Sequence, residues 1–364
     1  MIELRNVSKR FGGSGGFAVR EFSLEVSEGE TAVLVGPSGA GKTTILRMIN
    51  RLIEPTSGTI LVDGVDVMSI EPTELRRRIG YVIQSIGLMP HRTVAQNIAT
   101  VPRLVGWGGE RIRRRVRELA AMLELDDELL DRFPSELSGG QRQRVGVARA
   151  LGVDPPVMLM DEPFGAVDPI VRSRLQDELL SLQSRIRKTI VLVTHDVDEA
   201  MKLGDRIAII NRGGVLEQYA SPEQILRAPA TPFVADFVGS ERALKRLALL
   251  TVKSVETEEG PVVPPGQPVG AALEVMRLHG TDWAAVVGGD ETLLGWVDRE
   301  ALEGRSTVGE AGARPFSAVV SPSSSLREAL DAIVTNRTHV AAVVDDGGYR
   351  GILTLETLSR ELVS

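Results

Sequence analysis

The chain has 364 residues, 42 Lys plus Arg against 49 Asp plus Glu, and no cysteine, and its length predicts two or three domains. Apolar residues at 43% and charged residues at 25% match a globular average and exclude global disorder. The missing cysteines exclude a disulfide framework, a thiolate metal site and a cysteine nucleophile, and fit a reducing compartment. The formal charge of −7 is uneven: residues 249–364 hold 9 basic and 17 acidic groups, so the acidity lies in the tail. Neither part carries a basic footprint for nucleic acid. The opening Met1-Ile2-Glu3-Leu4-Arg5 lacks a charged-then-apolar leader, and no apolar run approaches the roughly 20 residues that cross a bilayer. The chain is therefore expected neither to span a membrane nor to be secreted by that route.

Residues 1–35 read as short strands, including Phe22-Ser23-Leu24-Glu25-Val26 and Thr31-Ala32-Val33-Leu34-Val35, and the cluster Gly12-Gly13-Ser14-Gly15-Gly16 is expected to be a mobile turn. Helical spacing runs from Gly41 to Arg51 and again, rich in arginine, from Glu110 to Leu130. Continuous apolar strands return at Val157-Met158-Leu159-Met160, Ile190-Val191-Leu192-Val193 and Ile207-Ala208-Ile209-Ile210, around a helical stretch over 170–187. Apolar strands alternating with helices predict an α/β core, with a sheet covered on both faces.

Gly36-Pro37-Ser38-Gly39-Ala40-Gly41-Lys42-Thr43 matches a phosphate-binding loop and stands directly between a strand and a helix. Its glycines let backbone N–H groups crowd around phosphate oxygens, Lys42 reaches the β/γ oxygens, and the Thr43 hydroxyl can ligate Mg²⁺. The strand ending in Met160 delivers Asp161 and Glu162 to the crevice where α/β sheets bind ligands. Asp161 is then a candidate for the Mg²⁺ shell, and Glu162 for the base that activates water. His195 closes another apolar strand and is a candidate γ-phosphate contact. His91, His279 and His339 lack ligand spacing and are read as ordinary surface or core residues.

A second glycine-opened helix start, Leu137-Ser138-Gly139-Gly140-Gln141, suits phosphate but has no lysine. With this motif, the phosphate loop, Gln84, the Asp161-Glu162 pair, Asp168 and His195 in one order, residues 1–240 resemble the nucleotide-binding subunits of ATP-binding cassette (ABC) transporters. The resemblance implies an ABC-type P-loop NTPase domain with a helical subdomain, acting as an ATPase with ATP and Mg²⁺. It implies a homodimer in which ATP lies between the phosphate loop of one subunit (Gly36, Ser38, Gly39, Ala40, Gly41, Lys42, Thr43, Thr44) and Ser138, Gly139, Gly140 and Gln141 of the other. It further implies that Gln84 touches Mg²⁺ and the attacking water, that Asp168 bridges subunits, and that Phe11 stacks on adenine. A core aromatic is the competing reading for Phe11. Phenylalanine stands there where the family more often has tyrosine, and Gly165-Ala166-Val167-Asp168 replaces the commoner Ser-Ala-Leu-Asp.

Gln84-Ser85-Ile86-Gly87-Leu88-Met89-Pro90-His91, with Thr93 to Ile98 and Val101-Pro102 up to Trp107, is similar to importer ATPases for quaternary-amine osmoprotectants such as glycine betaine, carnitine and choline. That implies a separate integral-membrane permease, an extracytoplasmic substrate-binding protein, and a peripheral place on the cytoplasmic face of the cell membrane. The alternatives are an importer ATPase for a different small solute and a soluble ABC ATPase outside transport.

Beyond Gly239 a unit recurs. Ala272-Leu273, Ala284-Ala285-Val286-Val287 and Gly295 reappear about 57 residues later as Ala329-Leu330, Ala341-Ala342-Val343-Val344 and Gly351. Each copy is expected to be helix, strand, Gly/Asp turn and strand, the two packing on each other, with Pro261 to Pro268 as a loop. This tail resembles a pair of cystathionine-β-synthase (CBS) repeats, giving domains at 1–240, 249–306 and 313–364. Asp298 replaces a usual threonine, and Ala301 and Thr357 stand where an acid commonly contacts ribose, so the usual adenosine mode does not match. The tail is expected to sense ionic strength or another ligand, or to serve as a dimerisation module.

Overall fold

A computed structural model describes residues 1–12, 16–84, 87–165, 167–239, 241–336 and 338–363, with side chains to residue 361. Most of the glycine cluster expected as a mobile turn, 13–15, lies outside the described residues, as do Ser85, Ile86 and Ala166. The chain divides into two compact units, Met1–Val238 and Gly239–Ser364.

The first unit contains strands β1 (Ile2–Arg10), β2 (Phe17–Val26), β3 (Thr31–Val35), β4 (Ser57–Val62), β5 (Val65–Asp66), β6 (Ile79–Val82), β7 (Val157–Asp161), β8 (Thr189–Thr194), β9 (Arg206–Asn211) and β10 (Val215–Ala220). They form an antiparallel sheet in the order β2-β1-β4-β5 and a second sheet in the order β10-β9-β3-β8-β7-β6. In the second sheet β9, β3, β8, β7 and β6 run parallel, and β10 is an antiparallel edge. Strands β3, β7 and β8 are buried at every residue, which is why their sequences are apolar without alternation.

The helix Lys42–Ile49 lies in the core between the two sheets. Its Ile45, Leu46, Met48 and Ile49 are fully buried with Phe22 and Leu4 of one sheet and Leu34 and Val193 of the other. Truncating any of these leucines or isoleucines to alanine removes about 2–5 kcal/mol. Gly41 begins this helix at φ 92°, and a Cβ there would lie 2.5 Å from the Ala18 carbonyl oxygen. Only glycine fits that turn.

The helical expectation over Glu110 to Leu130 is corrected. The helix runs Gly109–Met122, then Glu124 takes a left-handed φ of 51°, and a separate 3-10 turn follows at Asp127–Asp131. Periodicity alone does not register one left-handed residue, which is enough to end a helix.

The second unit contains β11 (Val262–Val263), β12 (Trp283–Val287), β13 (Leu293–Asp298), β14 (Val319–Val320), β15 (Val340–Asp345) and β16 (Gly348–Thr354). They make two three-stranded sheets of the same topology, β11-β12-β13 and β14-β15-β16, each with a parallel first pair and an antiparallel second pair. The repeat is thus larger than the sequence pattern indicates: each copy opens with a two-residue strand and closes with a helix, Arg299–Leu302 or Leu355–Val363. The stretch from Pro261 to Pro268 is not wholly loop, because Val262 and Val263 pair with Ala285 and Val286.

The copies interlock reciprocally. Glu258, ahead of the first copy, bridges Ile352 in β16, and Arg314, ahead of the second, bridges Trp296 in β13. The recurring glycines make this approach possible: a Cβ on Gly295 would lie 2.3 Å from the Arg314 carbonyl oxygen, and one on Gly351 would lie 2.6 Å from that of Glu258. Leu247 of the helix Arg242–Leu249 joins the second copy's core with Leu326, Ala341 and Leu353.

Candidate nucleotide site

Four neighbouring parallel strands, β3, β8, β7 and β6, end on one edge of the sheet. The phosphate loop follows β3, His195 follows β8, Asp161 ends β7 with Glu162 next after it, and Gln84 follows β6. Residues far apart in the chain therefore arrive side by side, at the edge where open α/β sheets bind ligands.

Lys42 is buried, and its Nζ donates to the carbonyl oxygens of Gly36 at 2.7 Å and Pro37 at 3.0 Å. Burial lowers its pKa, against the opposing pull of Glu162 and Asp161. The loop thus curls around its own ammonium group, while Ser38 and Gly39 stay exposed and Thr43 and Thr44 are half-buried. Ala40 is fully buried and anchors the loop from beneath.

Thr43 Oγ1 donates to Asp161 Oδ1 at 3.0 Å. Asp161 is buried, and desolvation raises its pKa although the Thr43 bond and Arg47, 3.9 Å away, favour the charged form. A hydroxyl and a desolvated carboxylate converging in this way fit a small hard cation that takes oxygen ligands and completes its shell with phosphate and water. No cluster of three or more His, Cys, Asp or Glu that could hold a metal exists among the described residues. Thr43 Oγ1 and Asp161 Oδ1 would supply such a cation with two protein oxygens.

Glu162 occupies a left-handed turn at φ 45°, its N–H bonded to the Val193 carbonyl oxygen at 2.9 Å. Gln84 Nε2 donates to its Oε2 at 2.9 Å, and His195 Nδ1 stands 3.3 Å from its Oε1. The structure thus brings Lys42, Thr43, Asp161, Glu162, Gln84 and His195 into one cluster. Gln84 here contacts Glu162 rather than Thr43 or Asp161.

Ser138, Gly139, Gly140 and Gln141 form a different place. Ser138 caps the helix Gly139–Ala150: its hydroxyl accepts from the Gln141 N–H at 3.2 Å, and Gln141 Oε1 accepts from the Ser138 N–H at 2.9 Å. These residues line a cavity of about 670 Å³ together with Asp168, whose carboxylate caps the helix Pro169–Ile186. Of the described residues lining it, none belongs to the phosphate loop. Phe11 is 51% exposed with Lys9 Nζ 5.2 Å from its ring centre, which rejects the core-aromatic reading.

Sequence reasoning missed three groups. Arg47 follows Thr43 by one helical turn, a spacing that puts both on one face. Arg172 joins the two regions of β7 and β8: Nη2 donates to the Val167 carbonyl oxygen at 3.2 Å, and Nη1 lies 3.6 Å from Asp196 Oδ2. Glu199 is buried beneath Thr194. Neither Arg172 nor Glu199 belongs to a motif, and their partners are fixed only by tertiary packing.

A phosphate loop with a hydroxyl and carboxylate pair, a carboxylate held between glutamine and histidine, and a separate glycine-opened helix defines an ABC-type ATPase cassette. Residues 19–165 match the ABC transporter family and residues 252–303 and 310–364 the CBS domain family. The chain is 44% identical to the osmoprotectant import ATP-binding protein OsmV of Salmonella typhimurium, over 100% of this chain and 97% of that one. It is also 44% identical to the glycine betaine/carnitine/choline transport ATP-binding protein OpuCA of Bacillus subtilis, over 98% and 95%. Among solved structures, the dimeric bacterial ABC transporter cassette MJ0796 is 35% identical, covers 61% of this chain with 99% of its own, and superposes with a TM-score of 0.55. The chain belongs to the ATP-binding subunits of ABC transporters, with CBS repeats at its C-terminal end, and is an ATPase. No helix among the described residues is long and apolar enough to cross a membrane.

Proposed function

We propose that this chain is the ATP-hydrolysing subunit of an importer for osmoprotectants, namely quaternary amines such as glycine betaine, carnitine and choline, and proline. The observation that carries this reading is the similarity to import subunits along the full chain, cassette and repeats together. Two copies pair so that ATP held by the phosphate loop of one meets Ser138, Gly139, Gly140 and Gln141 of the other, with Asp168 at the join. The separation of the two glycine-rich regions within one chain supports this reading, because a shared nucleotide then needs a second copy. The pairing is isologous, so two composite sites arise from one contact.

In this reading Lys42 and the loop N–H groups neutralise and position the β- and γ-phosphates, and Phe11 stacks on the adenine. Thr43, Asp161 and Gln84 hold Mg²⁺, which supplies charge neutralisation on the phosphates. Glu162 orients the attacking water and accepts its proton, and His195 turns from Glu162 to the γ-phosphate. Positioning and electrostatics carry the chemistry, with no covalent intermediate on the protein. A separately encoded permease pair contacts the segment near Gln84 from the cytoplasmic face of the membrane, and an extracytoplasmic binding protein delivers the solute to it.

Uptake of labelled betaine, carnitine, choline and proline in cells with and without this chain, at low and high salt, tests the reading. Loss of quaternary-amine uptake without the chain supports it. Unchanged uptake of all four solutes overturns it.

A further inference from the structure

The C-terminal unit contains chemistry that ATP hydrolysis does not use. Antiparallel pairing sets Trp283 of β12 directly opposite Asp298 of β13 and Ala285 opposite Trp296. Because side chains alternate along a strand, Trp283, Trp296 and Asp298 share one face of that sheet. The Phe316 ring meets Trp283 edge to face, 5.9 Å between centres at 83°. With Asp282, Thr338, His339 and Val340, these groups line a half-open cavity of about 290 Å³. That is near the lower bound for small-ligand sites, roughly 300 Å³.

The lining selects a chemical class. Among the described lining residues there are two carboxylates, one histidine, His339, and no lysine or arginine, so a phosphate group finds no permanent counter-charge in the wall and faces two acids. A hard metal cation needs several oxygen ligands at short range, which aromatic faces do not provide. An alkylated ammonium is different, because its charge is diffuse, it donates no hydrogen bond, and it is attracted to tryptophan faces and carboxylates. The protein already makes such a contact from its own chain. The Arg314 guanidinium lies 5.3 Å from the Trp296 ring centre while its Nη1 meets Asp298 Oδ2 at 2.7 Å. The Trp296 ring is fixed by Nε1 donating to the Pro315 carbonyl oxygen at 3.3 Å.

We propose that this cavity binds a methylated quaternary ammonium ion, held by Trp283, Trp296 and Phe316 and neutralised by Asp282 together with the Asp298 carboxylate, which it shares with Arg314. The C-terminal unit thereby recognises the class of solute that the importer carries. The identity of that solute rests on the proposed function, whereas the class of cation rests on the cavity alone.

The chain contains three tryptophans, and the third, Trp107, lies in the other unit. In the purified full chain carrying Trp107→Phe, all tryptophan emission therefore comes from the cavity wall. Tetramethylammonium and choline, titrated at constant ionic strength, should change that emission saturably. Potassium chloride and 3,3-dimethylbutan-1-ol, the uncharged isostere of choline, should not. In the Trp107→Phe background, Asp298→Asn removes one negative charge and leaves the Arg314 guanidinium without its ion pair at the cavity, so it should weaken the midpoint roughly 3- to 30-fold while keeping the helix cap that Asp298 gives to the Ala301 N–H. Trp283→Leu should do the same, and retained ATPase activity and circular dichroism establish that both variants fold. No saturable response, an equal response to potassium or to the neutral isostere, or an unchanged midpoint in both folded variants would overturn the proposal. If uptake shows a solute without a quaternary amine while the ammonium titration still saturates, the proposed function fails and the cavity assignment stands.

Discussion

The hydroxyl of Thr194 donates a 2.9 Å hydrogen bond to Oε2 of Glu199, beneath the loop that carries His195. Oε1 of the same carboxyl is buried with no hydrogen-bond partner among the described residues. Desolvation is the main cause of a pKa raised to about 7, with Asp196 adding to it and Thr194, Arg172 and His195 opposing it. Folding thus strengthens proton binding at Glu199. Its protonated form is fully accommodated below about pH 4.5, and stability is lost as pH rises from there through 7. The span corresponds to about 3 kcal/mol. Glu199→Gln, which mimics the protonated group, should gain stability over the parent by up to that amount at pH 8 and gain little at pH 4.5. Urea unfolding at the two values measures it, and an equal difference at both contradicts the assignment.

Glu162 is the carboxylate that both Gln84 and His195 touch. Glu162→Gln should reduce kcat by about 10²–10⁴-fold while leaving ATP binding in place, so that ATP-bound dimer accumulates. Phosphate release and gel filtration with ATP and Mg²⁺ read the two effects together. Parent-level turnover in this variant would remove Glu162 from its proposed role.

Gly41→Ala combines a left-handed backbone with a Cβ 2.5 Å from a carbonyl oxygen. The backbone term alone costs about 1–3 kcal/mol, and the contact forces the loop to move. Nucleotide affinity should fall together with the melting temperature. Gly139→Ala, where a Cβ would meet nothing within 4 Å, should leave the folded monomer near parent stability, and thermal unfolding of both variants checks the contrast.

Ser138→Ala removes the hydroxyl that accepts from the Gln141 N–H. Loss of such a cap costs about 1 kcal/mol, and thermal unfolding should show it without ATP. The KM for ATP should rise further than that loss explains, since in the proposed dimer the hydroxyl also serves the partner's nucleotide. A KM equal to the parent's would limit Ser138 to capping.

The candidate nucleotide site is legible where its residues sit in contiguous motifs. Val33-Leu34-Val35 before the phosphate loop and Val157 to Met160 before Asp161 announce their positions through unbroken apolar runs. What stayed hidden depends on other signals. Val262–Val263 and Val319–Val320 are too short for any period, and the end of the helix at Met122 turns on the single left-handed residue Glu124. The Arg314 contact with Trp296 and Asp298 was equally invisible, because it arises only when two repeats exchange their leading segments.

The most direct test of the composite site mixes two inactive chains. Lys42→Ala disables the phosphate loop, and Ser138→Arg disables the facing helix start. Random pairing of equal amounts gives half mixed dimers, each with one intact site, so ATPase activity should recover toward about a quarter of the parent value. If each chain instead holds a complete site by itself, the mixture stays as inactive as its components, and the account of a nucleotide shared between two copies fails.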